Sequence, residues 1–165
     1  MKKLLLLPLC LVLIVGTSCK REKRPDGMPE IYPCSIKVLQ GGAPLADADV
    51  SAVSTNPQIM RFPCGGITDQ NGVVKLKTMG FDGAPAGACK VLVSKIEWKN
   101  RPTNYDEAQK FNSEGIKEEG FDLVDRKYGD VSTTPLSIEI QTSNPQPIEV
   151  DVGEAVHISR EDLMR

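Results

Sequence analysis

From Cys34 onward apolar and polar residues alternate in short runs, and glycine, proline or asparagine closes each run. A period of two places every second side chain on one face of an extended strand. Cys34, Ile36 and Val38 alternate with Ser35 and Lys37 before Gly41-Gly42. Ala48, Val50 and Ala52 alternate with Asp49 and Ser51. Gly66 to Thr68 leads into Asp69-Gln70-Asn71-Gly72, followed by Val74 and Leu76, which predicts a β-hairpin because Asn and Gly tolerate the positive φ of such turns. Cys89, Val91 and Val93 form another face, then Leu136, Ile138 and Ile140, then Ile148, Val150 and Val152. These are seven strands with one apolar face each, and two antiparallel sheets packed face to face would bury them. The predicted fold class is all-β.

Residues 96–131 break the rhythm. Asn104 is placed to cap a short helix through Asp106, Glu107, Ala108 and Phe111, with acids in the first turn where the helix dipole favours them; Gly115 and Gly120 keep it short. The tail, 153–165, is expected to hold a last helical turn after Ser159.

Lys2 and Lys3 precede an apolar stretch from Leu4 to Val15, which ends in Gly16-Thr17-Ser18-Cys19. A membrane-crossing helix needs about 20 apolar residues, so this shorter stretch reads as a cleaved signal peptide over 1–18. With a cysteine at its small-residue junction it resembles a bacterial lipoprotein signal. The resemblance implies a diacylglycerol thioether on Cys19, cleavage just before it, and a lipid anchor in the membrane. Gly16 departs from the aliphatic residue usual there; an ordinary secretory signal is the alternative. Lys20 rather than Asp follows the cysteine, which in that class favours outer-membrane delivery. Residues 19–30 are charged and turn-rich, a solvated tether.

Losing Lys2 and Lys3 moves the formal charge from −2 to −4, which gives no electrostatic reason to seek nucleic acid. Aromatic residues are only 5% of the chain, too few for a broad stacking platform.

Candidate chemistry is sparse. The one histidine, His157, lies in the tail, away from any nucleophile that it would activate. Asp69 to Gly72 is similar to a fragment of a calcium loop, but Val73-Val74-Lys75-Leu76 follow where further oxygen ligands belong, so it reads as a tight hairpin turn. The glycines between Gly80 and Gly87 precede a strand rather than the helix of a phosphate cradle. Cys34, Cys64 and Cys89 lack Cys-x-x-Cys spacing and nearby histidine, so neither zinc nor another cofactor is expected. Asp106, Glu107, Glu114, Glu118, Glu119 and Asp122 are paired-carboxylate candidates, but a mixed-charge excursion reads as solvated surface.

Gly42-Ala43-Pro44-Leu45, Ala48-Asp49-Val50, Gly66-Ile67-Thr68-Asp69 with Gly72, and Gly83 to Gly87 leading into Lys90 to Lys95 resemble the strand–turn signature of carboxypeptidase-regulatory-like domains. Lys127-Tyr128 and Thr134-Pro135-Leu136 fit as well, so the resemblance runs from about Tyr32 to Val152. It implies a seven-stranded, transthyretin-like (prealbumin-like) sandwich over 31–152, typical of small envelope lipoproteins, and it transfers no active site. Cys89 stands where that family tends to carry an aromatic core residue.

Exported chains favour disulfides. Cys34, Cys64 and Cys89 allow three pairings. Cys34–Cys64 is favoured because both residues sit at strand ends, while Cys89 takes the core position that the resemblance assigns.

The function expected from these features is a non-catalytic envelope lipoprotein used for adhesion, scaffolding or accessory binding, with an envelope protein or polysaccharide as partner. A small carbohydrate-binding module, with Trp98 and Tyr105 stacking a sugar ring, is the alternative. An enzyme using the insertion's acids is a third.

Overall fold

The computed structural model describes residues 23–161. The expected signal peptide over 1–18 and the expected lipidation residue Cys19 therefore lie outside the described residues. The chain enters through β1 (Ile31–Tyr32), β2 (Ser35–Gln40), β3 (Ala43–Pro44), β4 (Asp49–Ser54) and β5 (Cys64–Ile67). Next come β6 (Val73–Lys75), β7 (Lys77–Thr78), β8 (Phe81–Asp82), β9 (Ala84–Pro85) and the long β10 (Gly87–Ser94). Then β11 (Ile96–Lys99), helix α1 (Tyr105–Glu114), β12 (Glu119–Asp122) and a 3-10 turn (Arg126–Gly129) form the insertion. β13 (Ser137–Ile140), β14 (Ile148–Asp151) and β15 (Ile158–Ser159) complete the described chain.

All seven alternating runs are extended, and they build a β-sandwich. The larger sheet has the order β13-β10-β4-β5-β7-β8; the smaller has β14-β2-β3, with β6 also on β2. Ile36, Val38 and Val74 from the smaller sheet and Val50, Val91, Val93 and Ile140 from the larger are buried in one core, as the alternation requires. Each such side chain is worth roughly 1.5–3 kcal/mol on burial.

Two details differ from expectation. β14 runs parallel to β2, with Val150 opposite Val38, because the chain leaves the edge of the larger sheet after Ile140 and joins the smaller sheet in the direction of β2. The Asp69–Gly72 turn does not close a hairpin. β5 pairs with β4 and β7, whereas β6 pairs with β2, so the turn carries the chain from one sheet to the other. That crossing lets Val74 and Val50 enter the core from opposite sides. Asp69 Oδ1 accepts from the backbone N–H of Asn71 and Val73, which closes the turn on itself.

The helix matches its sequence signals. Asn104 Oδ1 accepts from the Glu107 N–H at 2.9 Å, and Gly115 ends the helix at φ 69°. Glu107 in turn accepts from the backbone N–H and hydroxyl of Thr103, which holds its carboxyl below the usual range. In the tail, Ile158–Ser159 pairs with β12, so this segment is a strand; a helical turn after Ser159 would fall mostly outside the described residues.

The sandwich has two distinct ends. At one, Cys89 pairs across from Ser54, and Asn144 donates to the Pro33 carbonyl, where the expected tether over 19–30 would enter. At the other, Ser94 faces Asp49, and Gln40 donates to the Leu123 carbonyl at the root of the insertion. β11, β12 and β15 form a separate three-stranded sheet there, an arm that carries α1.

Candidate functional site

Where the arm leaves the sandwich there is a cleft of about 350 Å³. Its apolar wall is Val93 at the end of β10, with Ile96 and Val124. Across from them sits a charged triad. Asp122, at the end of β12, is buried, with its side chain 10% exposed. Its Oδ2 accepts from Arg126 Nε at 2.6 Å and its Oδ1 from Arg160 Nη1 at 2.7 Å. Arg126 also donates through Nη2 to the Ser159 carbonyl, and the Arg160 backbone N–H donates to the Gly120 carbonyl. One carboxylate thus ties together the arm's middle strand, the 3-10 turn and the tail. Charge-assisted bonds of this kind are the strong ones, although desolvating three ions offsets much of their attraction.

Two further acids on the cleft wall are committed to their own backbone. Asp125 caps the 3-10 turn by accepting from the Lys127 N–H, and Asp130 accepts from the hydroxyl and backbone N–H of Ser132. Those bonds hold both carboxyls below their ordinary range. Lys95 is turned to the Ala46 carbonyl at 2.8 Å. The cleft is a shaped recess whose charges are largely spent on fixing its walls.

Both faces of the arm carry aromatic and cationic side chains: Glu97 and Phe121 pair on one face, and Trp98 and Gly120 on the other, which they share with Ile96 and Asp122. Phe121 stacks on His157 with ring centroids 4.3 Å apart, and Lys99 Nζ lies 4.8 Å from the Phe121 centroid. His157 Nε2 is 3.4 Å from Glu97 Oε2. Trp98 stands opposite Gly120 in the register, and the Arg101 guanidinium lies over its ring at 4.9 Å. A Cβ on Gly120 would come within 3.0 Å of Trp98 Cζ3, so the indole rests on the glycine backbone. Tyr105 opens α1, and its hydroxyl accepts from Gln109. Trp98 and Tyr105 are thus both on the arm and both exposed, Trp98 by 41% with Arg101 over its ring and Tyr105 by 75%.

Of the six candidate acids, only Asp122 reaches the cleft. Glu107 serves the helix cap, and Glu119 pairs in the arm sheet. Arg126 and Arg160, the residues that organise the cleft, carried no sequence signal; Arg160 lies 38 positions beyond Asp122 and meets it only through the fold.

Cys34, Cys64 and Cys89 are buried free thiols at the tether end, so the expected Cys34–Cys64 bridge is not formed in this structure. Cys34 comes with the smaller sheet and Cys64 with the larger, so the two approach across the core, not along one ladder, and each is packed as an apolar side chain. Burial pushes the Cys64 thiol up to about 12, with the Cys89 and Cys34 thiols adding to the rise, and pushes Cys89 up to about 11. Among the described residues no group of three or more His, Cys, Asp or Glu is placed to hold a metal ion, and no helix is long and apolar enough to cross a membrane.

No family model matches the chain. A comparison with curated proteins likewise finds no match.

Proposed function

We propose that this protein is a lipid-anchored component of the bacterial envelope, acylated at Cys19, whose β-sandwich is a non-catalytic module for adhesion, scaffolding or accessory binding. The arm is its binding end. The observation that carries this reading is the Asp122–Arg126–Arg160 triad, which fixes a projecting three-stranded arm to the sandwich over a shaped cleft. A solvated excursion would not need three strands and a buried charge cluster to hold its position. An envelope protein or polysaccharide is the partner class that an anchored, outward-facing arm would meet.

Site-specific photocrosslinking in intact envelopes tests it. A photoreactive residue at Arg101 or Phe111 is expected to give a discrete adduct that the same probe at Lys75, on the sandwich, does not give. Adducts of equal pattern from all three positions would overturn the arm as binding end. Turnover in a hydrolase screen, abolished by Asp122→Asn with folding intact, would overturn the non-catalytic reading.

A further inference from the structure

The tether end carries exposed thioethers that neither the cleft nor the arm uses. Met60, in the loop between β4 and β5, is 46% exposed, and Met79, in the β7–β8 turn, is 57% exposed. Cys64 pairs with Thr78, so that loop and that turn project from the same end of neighbouring strands. Met79 holds a left-handed φ of 50°, a conformation that glycine or asparagine adopts more readily. The turn therefore keeps a long apolar side chain in water at a position where its backbone favours a different residue.

The tether lies against the same end. Gly27 and Pro29 face Asn56 to Ile59 across a groove, and a methyl on Gly27 would come within 2.7 Å of Arg61 Nη2. Tyr32 donates its hydroxyl to Glu30, and β1 pairs with β9 immediately after. The chain is thus directed along this end before it reaches the first strand. Only three residues, Lys20 to Glu22, separate Lys23 from Cys19, four chain steps with a reach of at most about 14 Å when fully extended.

We propose that this end of the sandwich seats on the headgroup layer of a phospholipid bilayer, with Met60 and Met79 in the interface and Arg61, Lys23 and Arg24 near the phosphates. The seating depends on the acylated Cys19 proposed above, because a short tether brings the bilayer to this end and to no other. Flexible thioethers fill irregular apolar surroundings well, and a second weak contact is what turns an acyl anchor into a fixed orientation. Asp26, Glu30 and Asp82 also lie at this end, so charge contributes little and tether length sets the geometry. β10 runs from this end to the arm over eight residues, about 26 Å at ~3.3 Å each. The cleft and the arm consequently face away from the membrane.

Hydroxyl-radical footprinting tests the seating with native probes. The mature acylated chain is floated on vesicles of phosphatidylethanolamine and phosphatidylglycerol, and oxidation is read residue by residue by mass spectrometry. The same chain from residue 19 with Cys19→Ala is the unanchored reference. Met60 and Met79 should oxidise about threefold more slowly, or slower still, on vesicles, since susceptibility follows exposure; Trp98 and Tyr105 should be unchanged. Equal oxidation of Met60 and Met79 in a chain that floats would overturn the seating and leave the anchor standing. A chain that does not float would overturn the anchor and the seating together.

Discussion

Arg160 Nη1 reaches Asp122 Oδ1 at 2.7 Å, so the last described stretch of the chain is bonded to the middle strand of the arm. Asp122 also holds Arg126 at 2.6 Å, and among the described residues it is the only group hydrogen-bonded to both guanidinium ions. Removing the shared carboxylate leaves two cations beside a buried wall, and removing one arginine leaves the other pair intact. Asp122→Ala is therefore expected to cost about 3 kcal/mol, and Arg160→Ala about 1 kcal/mol because its side chain is partly exposed. Urea unfolding measures both. Hydrogen exchange should show the loss concentrated in 96–131 and 153–161, and an equal cost for the two variants would contradict the shared-carboxylate account.

How much of this was legible beforehand divides along a physical line. Strands such as Val50–Ala52 and Val91–Val93 were readable because a period of two is written locally, and so was the Asn104 cap, whose acceptor and donor lie three residues apart. The sheet to which a strand belongs was not. Gly66 and Val74 flank a good turn, yet pair with different sheets, because the core needs apolar faces from both sides and turn chemistry is indifferent to that need. The cleft was hidden for the same reason. Asp122 and Arg126 are four apart, which suggests a helix, but they act from a strand end and a 3-10 turn. Arg160 joins them only because β15 pairs with β12.

The inter-sheet turn makes a second expectation. Gly72 has a φ of 73°, and a Cβ there would lie 2.6 Å from the Val38 carbonyl oxygen, which is backbone and cannot move aside. Gly80 has a φ of 89°, but its surroundings are open. Gly72→Ala should thus lose about 2–4 kcal/mol, whereas Gly80→Ala should lose only about 1 kcal/mol of backbone strain. Thermal melts of the two variants decide it. Similar melting points would show that the crossing has more slack than the structure gives it.

Trp98 is the only tryptophan, which makes its emission a direct report on the arm. It lies on Gly120 and beneath Arg101, and a methyl at Gly120 would also meet Arg160 Cδ at 3.0 Å. Gly120→Val is expected to lift the indole, shift its emission to longer wavelength and weaken the arm by about 1–2 kcal/mol. Arg101→Ala should expose the ring at a cost nearer 0.5 kcal/mol, the worth of an exposed cation–π contact. An unchanged emission spectrum in Gly120→Val would mean that the ring does not rest there.

The buried thiols give a pH dependence whose sign can be worked out. Cys64 is held up to about 12 and Cys89 up to about 11, against an ordinary thiol value of 9. Below 9 both the folded and the unfolded chain keep these protons, and the contribution to stability is complete. Between 9 and the folded values only the unfolded chain ionises, so the native state binds more protons and stability falls as pH rises. The slope approaches roughly 1.4 kcal/mol per pH unit for each thiol. Urea midpoints measured from pH 8 to 11 should fall accordingly, and Cys64→Ala should flatten the fall even though it starts from lower stability. The same burial leaves a Cys64 thiolate fraction of only about 10⁻⁵ at pH 7. Iodoacetamide should therefore spare Cys34, Cys64 and Cys89 in the native chain from residue 20 onward and label all three after unfolding. A Cys34–Cys64 cystine peptide in non-reducing maps of that chain would overturn the free-thiol arrangement.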